Sequence, residues 1–328
     1  MDLLGHIRNS FYILVLMFLF SCVKEKKQPL VLNTEIEIKK ANTPMFNSDS
    51  AYFFIEQQVL FGPRSPNSEA HKKCGNYLIS KLDSYGAKIY IQESIENRFD
   101  GEDLSMKNII GSFLPEKKDR ILLCAHWDSR FIADHDTERT KEPIDGANDG
   151  ASGVGVLIEV ARQISIKQPD VGVDIIFFDL EDQGEGGGGD VLSWCIGSQY
   201  WSKTPHIFNY NADYGILLDM VGAPDAIFTQ EAYSVEYAKE IIDKCWNQAI
   251  ESGFSDYFSF EKTPGIIDDH LPINEIIKIP TIDIIEYDSS TENNFNQFWH
   301  THGDDMNNIS KETLNAVGQT VLDVLYNE

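Results

Sequence analysis

Apolar residues along this chain follow two rhythms. Four short, nearly continuous apolar runs read as strands buried on both faces: 120–125 (RILLCA), 173–178 (VDIIFF), 215–220 (GILLDM) and 281–286 (TIDIIE). Two further strands are predicted at 88–93, by alternation, and at 108–114. Helical spacing predicts a helix over 51–60, with Ser50 as its cap and Gly62-Pro63 as its stop. A second starts at Asn67 or Ser68, carries Ala70, Cys74, Tyr77, Leu78 and Leu82 on one face, and ends at Gly86. Further helices are predicted at 151–164, near 198–202, at 234–251 with Ser234 as cap, and at 311–326 capped by Ser310. Alternating strands and helices predict a three-layer α/β/α sandwich around a mostly parallel sheet. No repeat and no linker interrupts residues 48–328, so one domain is expected there.

The N-terminus has another pattern. Arg8 and His6 precede a ten-residue apolar run, 11–20. A bilayer span needs roughly 20 apolar residues, so this run has the length of a signal-peptide core instead. It ends in Leu19-Phe20-Ser21-Cys22, which resembles the bacterial lipobox. Residues 1–22 are therefore expected to be a lipoprotein signal with Cys22 as the lipid-bearing residue, and 23–47 a polar tether. A plain secretory signal or an uncut anchor are the alternatives. The expected address is that of an exported lipoprotein, on the periplasmic side or associated with the outer membrane. Cys74, Cys124, Cys195 and Cys245 remain, either paired in an oxidising compartment or buried as small hydrophobes.

Composition narrows the partners. Of 328 residues, 42% are hydrophobic and 24% charged, an ordinary globular balance. With 27 Lys and Arg against 52 Asp and Glu, the net charge is −25. Such a surface repels phosphate backbones and anionic lipid, which argues against nucleic acid and leaves the lipid anchor as the only membrane contact.

Candidate chemistry collects where α/β sheets bind ligands, beyond the carboxyl ends of the strands. His126, Trp127 and Asp128 follow the first buried run, and Asp149 stands at the mouth of the next helix. Asp179, Glu181 and Asp182 follow the second run. Asp219 ends the third and is followed by Gly222-Ala223-Pro224. Trp299 and His300 follow the fourth after a loop. Clustered carboxylates repel one another unless a cation neutralises them. Histidine mixed with carboxylate suits zinc. Adjacent side chains such as Glu181 and Asp182 point in different directions, so one can bind metal while the other serves as base. Gly184–Gly189 formally fits a nucleotide-binding glycine pattern, but it opens no periodic helix and acids surround it. Cys124 lies inside an apolar strand and reads as buried filler. No G-x-S-x-G and no H-E-x-x-H is present.

The order His126-x-Asp128, Asp149, Glu181-Asp182, Asp219, Asp269-His270, His300 resembles the zinc aminopeptidase family M28. Within it the chain is more similar to the glutaminyl-peptide cyclotransferases, or glutaminyl cyclases. Phe177-Phe-Asp-Leu-Glu-Asp182, Leu217-Leu-Asp-Met-Val-Gly-Ala-Pro224, Asp268-Asp-His-Leu-Pro272 and Trp299-His-Thr301 carry that likeness, which runs from about Phe61 onward. The resemblance implies a single α/β domain with a central mixed sheet and one zinc per chain, held by Asp149, Asp182 and His300. Asp182 stands where animal cyclases carry Glu and bacterial ones Asp. The resemblance implies Glu181 as general acid/base, with Asp219 and Asp268 completing an acidic network. It implies Trp299 as a wall of the substrate pocket and Trp194 as a second one. His126, Asp128, Asp269 and His270 are left as second-metal or supporting residues.

The expected reaction converts the N-terminal glutamine of peptides or proteins to pyroglutamate with release of ammonia. The alternatives are hydrolysis by an M28 zinc aminopeptidase, since all five ligand types of a two-zinc site are present, or a zinc-binding surface lipoprotein without turnover. Asp268 before Asp269-His270, Trp299 directly before His300, and Gly222-Ala223-Pro224 after Asp219 favour the cyclase.

Overall fold

A computed structural model describes residues 43–328. The signal segment, Cys22 and most of the tether lie outside the described residues. The tether's last residues do not behave as a tether. Phe46 is buried, and its backbone N–H donates to Gln319 Oε1 at 2.8 Å. Its ring lies so close to Gly318 that an added Cβ would stand 2.2 Å from Phe46 Cε2. The packed domain therefore begins before residue 48.

Helix α1 (Ser48–Val59) is capped by Asn47, whose Oδ1 accepts the N–H of Ser50 at 3.0 Å; the expected cap, Ser50, is already inside the helix. Helix α2 (Glu69–Ser84) is capped by Ser68. Strands β1 (Lys88–Asn97) and β2 (Asp103–Phe113) form an antiparallel hairpin longer than its apolar pattern. Then follow β3 (Arg120–His126), α3 (Ala151–Ile166), β4 (Gly172–Phe178), α4 (Ile196–Lys203) and β5 (Tyr214–Asp219). A second parallel pair, β6 (Phe228–Glu231) and β7 (Phe258–Thr263), flanks α5 (Ala232–Glu251). The short α6 (His270–Pro272) runs into a π-turn at Ile273–Ile277, before β8 (Thr281–Ile285) and α7 (Lys311–Tyr326).

The main sheet has the order β1-β2-β4-β3-β5-β8. The strands from β4 to β8 in that order run parallel, and β1 and β2 add an antiparallel edge, so the sheet is mixed. Alternation along β3 explains its two-sided burial. Ile121, Leu123 and Ala125 join a core under α1, α2, α3, α5 and α7, whereas Leu122 and Cys124 face Trp201 of α4 and Ile273 after α6. The expected three-layer sandwich is present.

Two features escaped the pattern. The pair β6–β7 is short, and the middle of β7 (FSFEKT) is exposed, so neither rhythm marks it. Helix α5 is capped by Glu231 rather than Ser234: the Glu231 carboxylate accepts the N–H groups of Tyr233 and Ser234. The Ser234 hydroxyl accepts instead from the backbone N–H of Asp283 in β8 at 2.9 Å. All four described cysteines are buried free thiols.

Candidate active site

The strand ends meet in one place. His126 closes β3 and Asp219 closes β5, while Asp149 returns from the long loop to the start of α3. That return is tight. Gly150 has φ +91°, and a Cβ there would sit 2.5 Å from Asp128 O, so only glycine fits. The carboxylate of Asp304 accepts the N–H of Asn148 at 2.6 Å and of Asp149 at 3.0 Å, which fixes where Asp149 points.

Asp149 stands between two groups. Its Oδ1 lies 3.1 Å from His126 Nε2, which is also 3.1 Å from Asp219 Oδ1. Its Oδ2 lies 3.5 Å from His300 Nε2, which is 3.1 Å from Asp182 Oδ1. The ligand atoms of Asp149, Asp182 and His300 all fall within 4.8 Å of one another, as do those of His126, Asp149 and Asp219. Asp182 Oδ2 is buried without a hydrogen-bond partner. One imidazole nitrogen, two carboxylates and an unsatisfied buried lone pair fit a zinc ion in its usual N/O ligand field.

The backbone is strained around this point. Leu180, Cys195, Met220 and His300 are non-glycine residues with φ of 57°, 55°, 47° and 56°. Each is a site residue or adjoins one, as expected where surrounding structure holds costly geometry for function. Asp128 supports one such turn: it accepts the N–H of Glu181 and of Asp182 at 3.2 Å each, and Gln183 Nε2 at 3.0 Å. Both its oxygens are used in this way. It belongs to neither triad, and these bonds fit the supporting role among its two expected readings.

Glu181 lies beside the metal triad. Burial raises its pKa well above the usual carboxylate range; the His126 charge opposes this, and Asp268, Asp182 and Asp269 add to it. Cys195 Sγ donates to Glu181 Oε1 at 3.4 Å, and Asp268 completes a cluster with these two. Asp268 is pushed up to about 7, by burial first and the Asp219 charge next. Burial also raises Asp219, against the charge of His126. Asp269 is buried and likewise raised, by burial and then by Asp268. His270 turns elsewhere: its Nε2 lies 3.3 Å from Glu231 Oε1 and its Nδ1 3.8 Å from Asp283 Oδ2. Neither Asp269 nor His270 enters either triad.

Above the acids opens a cavity of about 430 Å³. Glu181, Asp182, Asp219, Asp268 and His300 form its floor, and Trp194 and Trp299 stand in its walls. Trp299 stacks on His300 with ring centroids 3.8 Å apart, and Trp194 lies nearly parallel to the same imidazole at 6.2 Å. Gly184 makes room for Trp194, since a Cβ there would fall 2.1 Å from the indole. Residues 185–189 of the glycine loop line the cavity, and the loop starts no α-helix. The structure thus brings together Asp149, Asp182, His300, Glu181, Asp219, Asp268, Trp194, Trp299 and His126. Sequence reasoning missed the place of Cys195 in the site and the buried Arg130 and Arg64. An arginine in a polar stretch carries no periodic signal of burial.

The family model "Peptidase family M28" matches residues 108–325. The glutaminyl cyclase of Tannerella forsythia is 51% identical, over 87% of this chain and 100% of that one, with a TM-score of 0.85. A protein of Bacteroides thetaiotaomicron described as a leucine aminopeptidase precursor is 50% identical, over 88% of this chain and 99% of that one, with a TM-score of 0.84. The glutaminyl-peptide cyclotransferase of Bos taurus is 24% identical over 252 residues, covering 66% of this chain and 64% of its own length. This chain therefore spans just under two thirds of that curated relative. The chain belongs to peptidase family M28 and, within it, groups with the bacterial glutaminyl cyclases.

Proposed function

We propose that this chain is a zinc-dependent glutaminyl cyclase acting on peptides or proteins that begin with glutamine. One observation carries this reading: Glu181, a buried carboxyl of raised pKa, stands beside the Asp149–Asp182–His300 triad in a cavity lined by Trp194 and Trp299. A zinc held by that triad would supply a Lewis acid for the γ-amide oxygen. The substrate's α-amine forms the new C–N bond to its own side-chain amide carbon, and the C–NH2 bond breaks. Glu181 accepts the proton that the amine loses and returns it to the departing nitrogen, which leaves as ammonia. A positioned shuttle of this kind contributes about 10²–10⁴-fold. Because ring closure is intramolecular, orientation supplies much of the rest. Trp299 and Trp194 hold the glutamine side chain and exclude water, which favours closure over hydrolysis.

The aminopeptidase reading has an observation of its own, the His126–Asp149–Asp219 triad, which could take a second metal. Against it, His126 Nε2 is already 3.1 Å from both carboxylates. Its imidazole can hold them together as a cation, the task a second metal would perform. We further propose export and lipid anchoring at Cys22, supported by the sequence of residues 1–22 alone. No helix among the described residues is long and apolar enough to cross a membrane. Loss of incorporated fatty acid on Cys22→Ser tests the anchor.

The function is tested on the domain after Cys22, with its zinc content measured, using peptides that begin with Gln or with Leu. Ammonia release and a 17 Da loss, the mass of ammonia, from the Gln peptide alone, with about one zinc per chain, is the expected result. Free leucine from the second peptide would overturn it in favour of an aminopeptidase. Zinc binding with neither product would leave a binding protein.

A further inference from the structure

One buried cation ties together three parts of the site that come from separate loops. Arg130 has no exposed surface. Its Nη1 donates to the backbone oxygens of Asp182 at 3.1 Å and Gly184 at 2.8 Å. Its Nη2 and Nε donate to the two carboxylate oxygens of Asp134 at 2.7 and 3.3 Å, a bidentate pair. Asp134 Oδ1 lies in turn 3.0 Å from His300 Nδ1, the imidazole nitrogen away from the triad, slightly off the axis of an ideal hydrogen bond. The guanidinium also lies over the Trp194 ring, 4.6 Å from its centroid.

We propose that Arg130 and Asp134 are positioning residues that set the metal site and the pocket wall as one unit. Arg130 holds the carbonyl of one ligand, Asp182. Through Asp134 it orients the second, His300, and fixes which imidazole nitrogen is free to bind metal. Through its flat face it seats Trp194. A guanidinium can do all this because it is planar and presents five donors in a fixed fork. An ammonium is a point charge with neither the fork nor the face. Carboxylates behind metal-bound histidines typically change metal affinity by about 10–100-fold. The inference rests on the assignment of Asp149, Asp182 and His300 as zinc ligands.

The test is zinc affinity, measured on the zinc-free domain by competition with a chromophoric chelator. Asp134→Asn and Arg130→Lys are each expected to weaken zinc about 10–100-fold. The double variant is expected to lose less than the product of the two single losses, since the Arg130–Asp134–His300 connection is common to both. Asp134→Asn keeps its volume at a partly exposed position, so its zinc-free thermal midpoint should stay within a few degrees of the parent. Parental zinc affinity in Asp134→Asn would overturn the proposal, as would losses that multiply in the double variant. A parent domain that binds no zinc would instead overturn the ligand assignment. If Arg130→Lys does not fold, Asp134→Asn decides alone. Gln-peptide kinetics add a second readout: Arg130→Lys should also raise KM through Trp194, whereas Asp134→Asn should lower kcat with KM little changed.

Discussion

The Cys195 thiol donates to Glu181 Oε1 at 3.4 Å inside the closed floor of the site. Burial and the neighbouring acids raise the thiol's own pKa well above its usual value, so it stays a neutral donor. One such hydrogen bond contributes about 0.5–1.5 kcal/mol. Cys195→Ala should therefore lower kcat by roughly 2–10-fold with KM nearly unchanged. Cys195→Ser, which keeps a donor, should recover most of the loss. Steady-state kinetics on a Gln peptide check both; equal kcat in Cys195→Ala and the parent would remove the thiol from the mechanism.

Glu181 and Asp268 should separate chemistry from metal binding. Glu181→Gln removes the proton carrier and should cost about 10²–10⁴ in kcat. Asp268→Asn removes an acid held up to about 7 beside it and should cut turnover severely. Both variants should keep the parent's zinc content by elemental analysis. Loss of zinc in Asp268→Asn would make that residue structural.

Glu286 should leave a signature in stability against pH. Burial raises it from 4.5 to about 7; the Asn296 hydrogen bond opposes this, and the Asp288 charge adds to it. A carboxyl raised on folding binds its proton more tightly in the folded state, so its contribution to stability falls as pH climbs from about 4.5 through 7. At pH 5 the neutral side chain and a glutamine are nearly equivalent. At pH 8 the parent bears a buried charge worth about 2–3 kcal/mol, which the amide avoids. Glu286→Gln should thus gain that amount relative to the parent between pH 5 and pH 8, read from urea midpoints of zinc-loaded protein. An unchanged difference would place the Glu286 pKa near its ordinary value.

Trp299 should decide the fate of the γ-amide. It stacks on His300 at 3.8 Å and screens the floor of the cavity. Trp299→Ala should raise KM and admit water, so that a measurable share of product begins with glutamate instead of pyroglutamate. Mass spectrometry distinguishes the two by 18 Da, the mass of water. Pure pyroglutamate at undiminished kcat/KM would show that this ring does not guard the reaction.

By itself, the amino-acid sequence determined the frame. RILLCA, VDIIFF, GILLDM and TIDIIE are β3, β4, β5 and β8, because a strand covered on both faces must be apolar nearly throughout. The acids and histidines at their carboxyl ends were legible for the same reason: polar groups that break an apolar run mark where the chain leaves the core. Only the tertiary structure decided how these groups divide their work. Asp128 reads as ligand or support beside His126, and both its oxygens accept from the Glu181–Gln183 turn. His270 follows two acids in the chain yet turns to Glu231. Arg130, Asp134 and Asp304 show no periodicity, and their partners lie up to 166 positions away. Which oxygen meets which donor depends on where separate loops converge. Local hydrophobic pattern, set by burial against a sheet, carries no record of that.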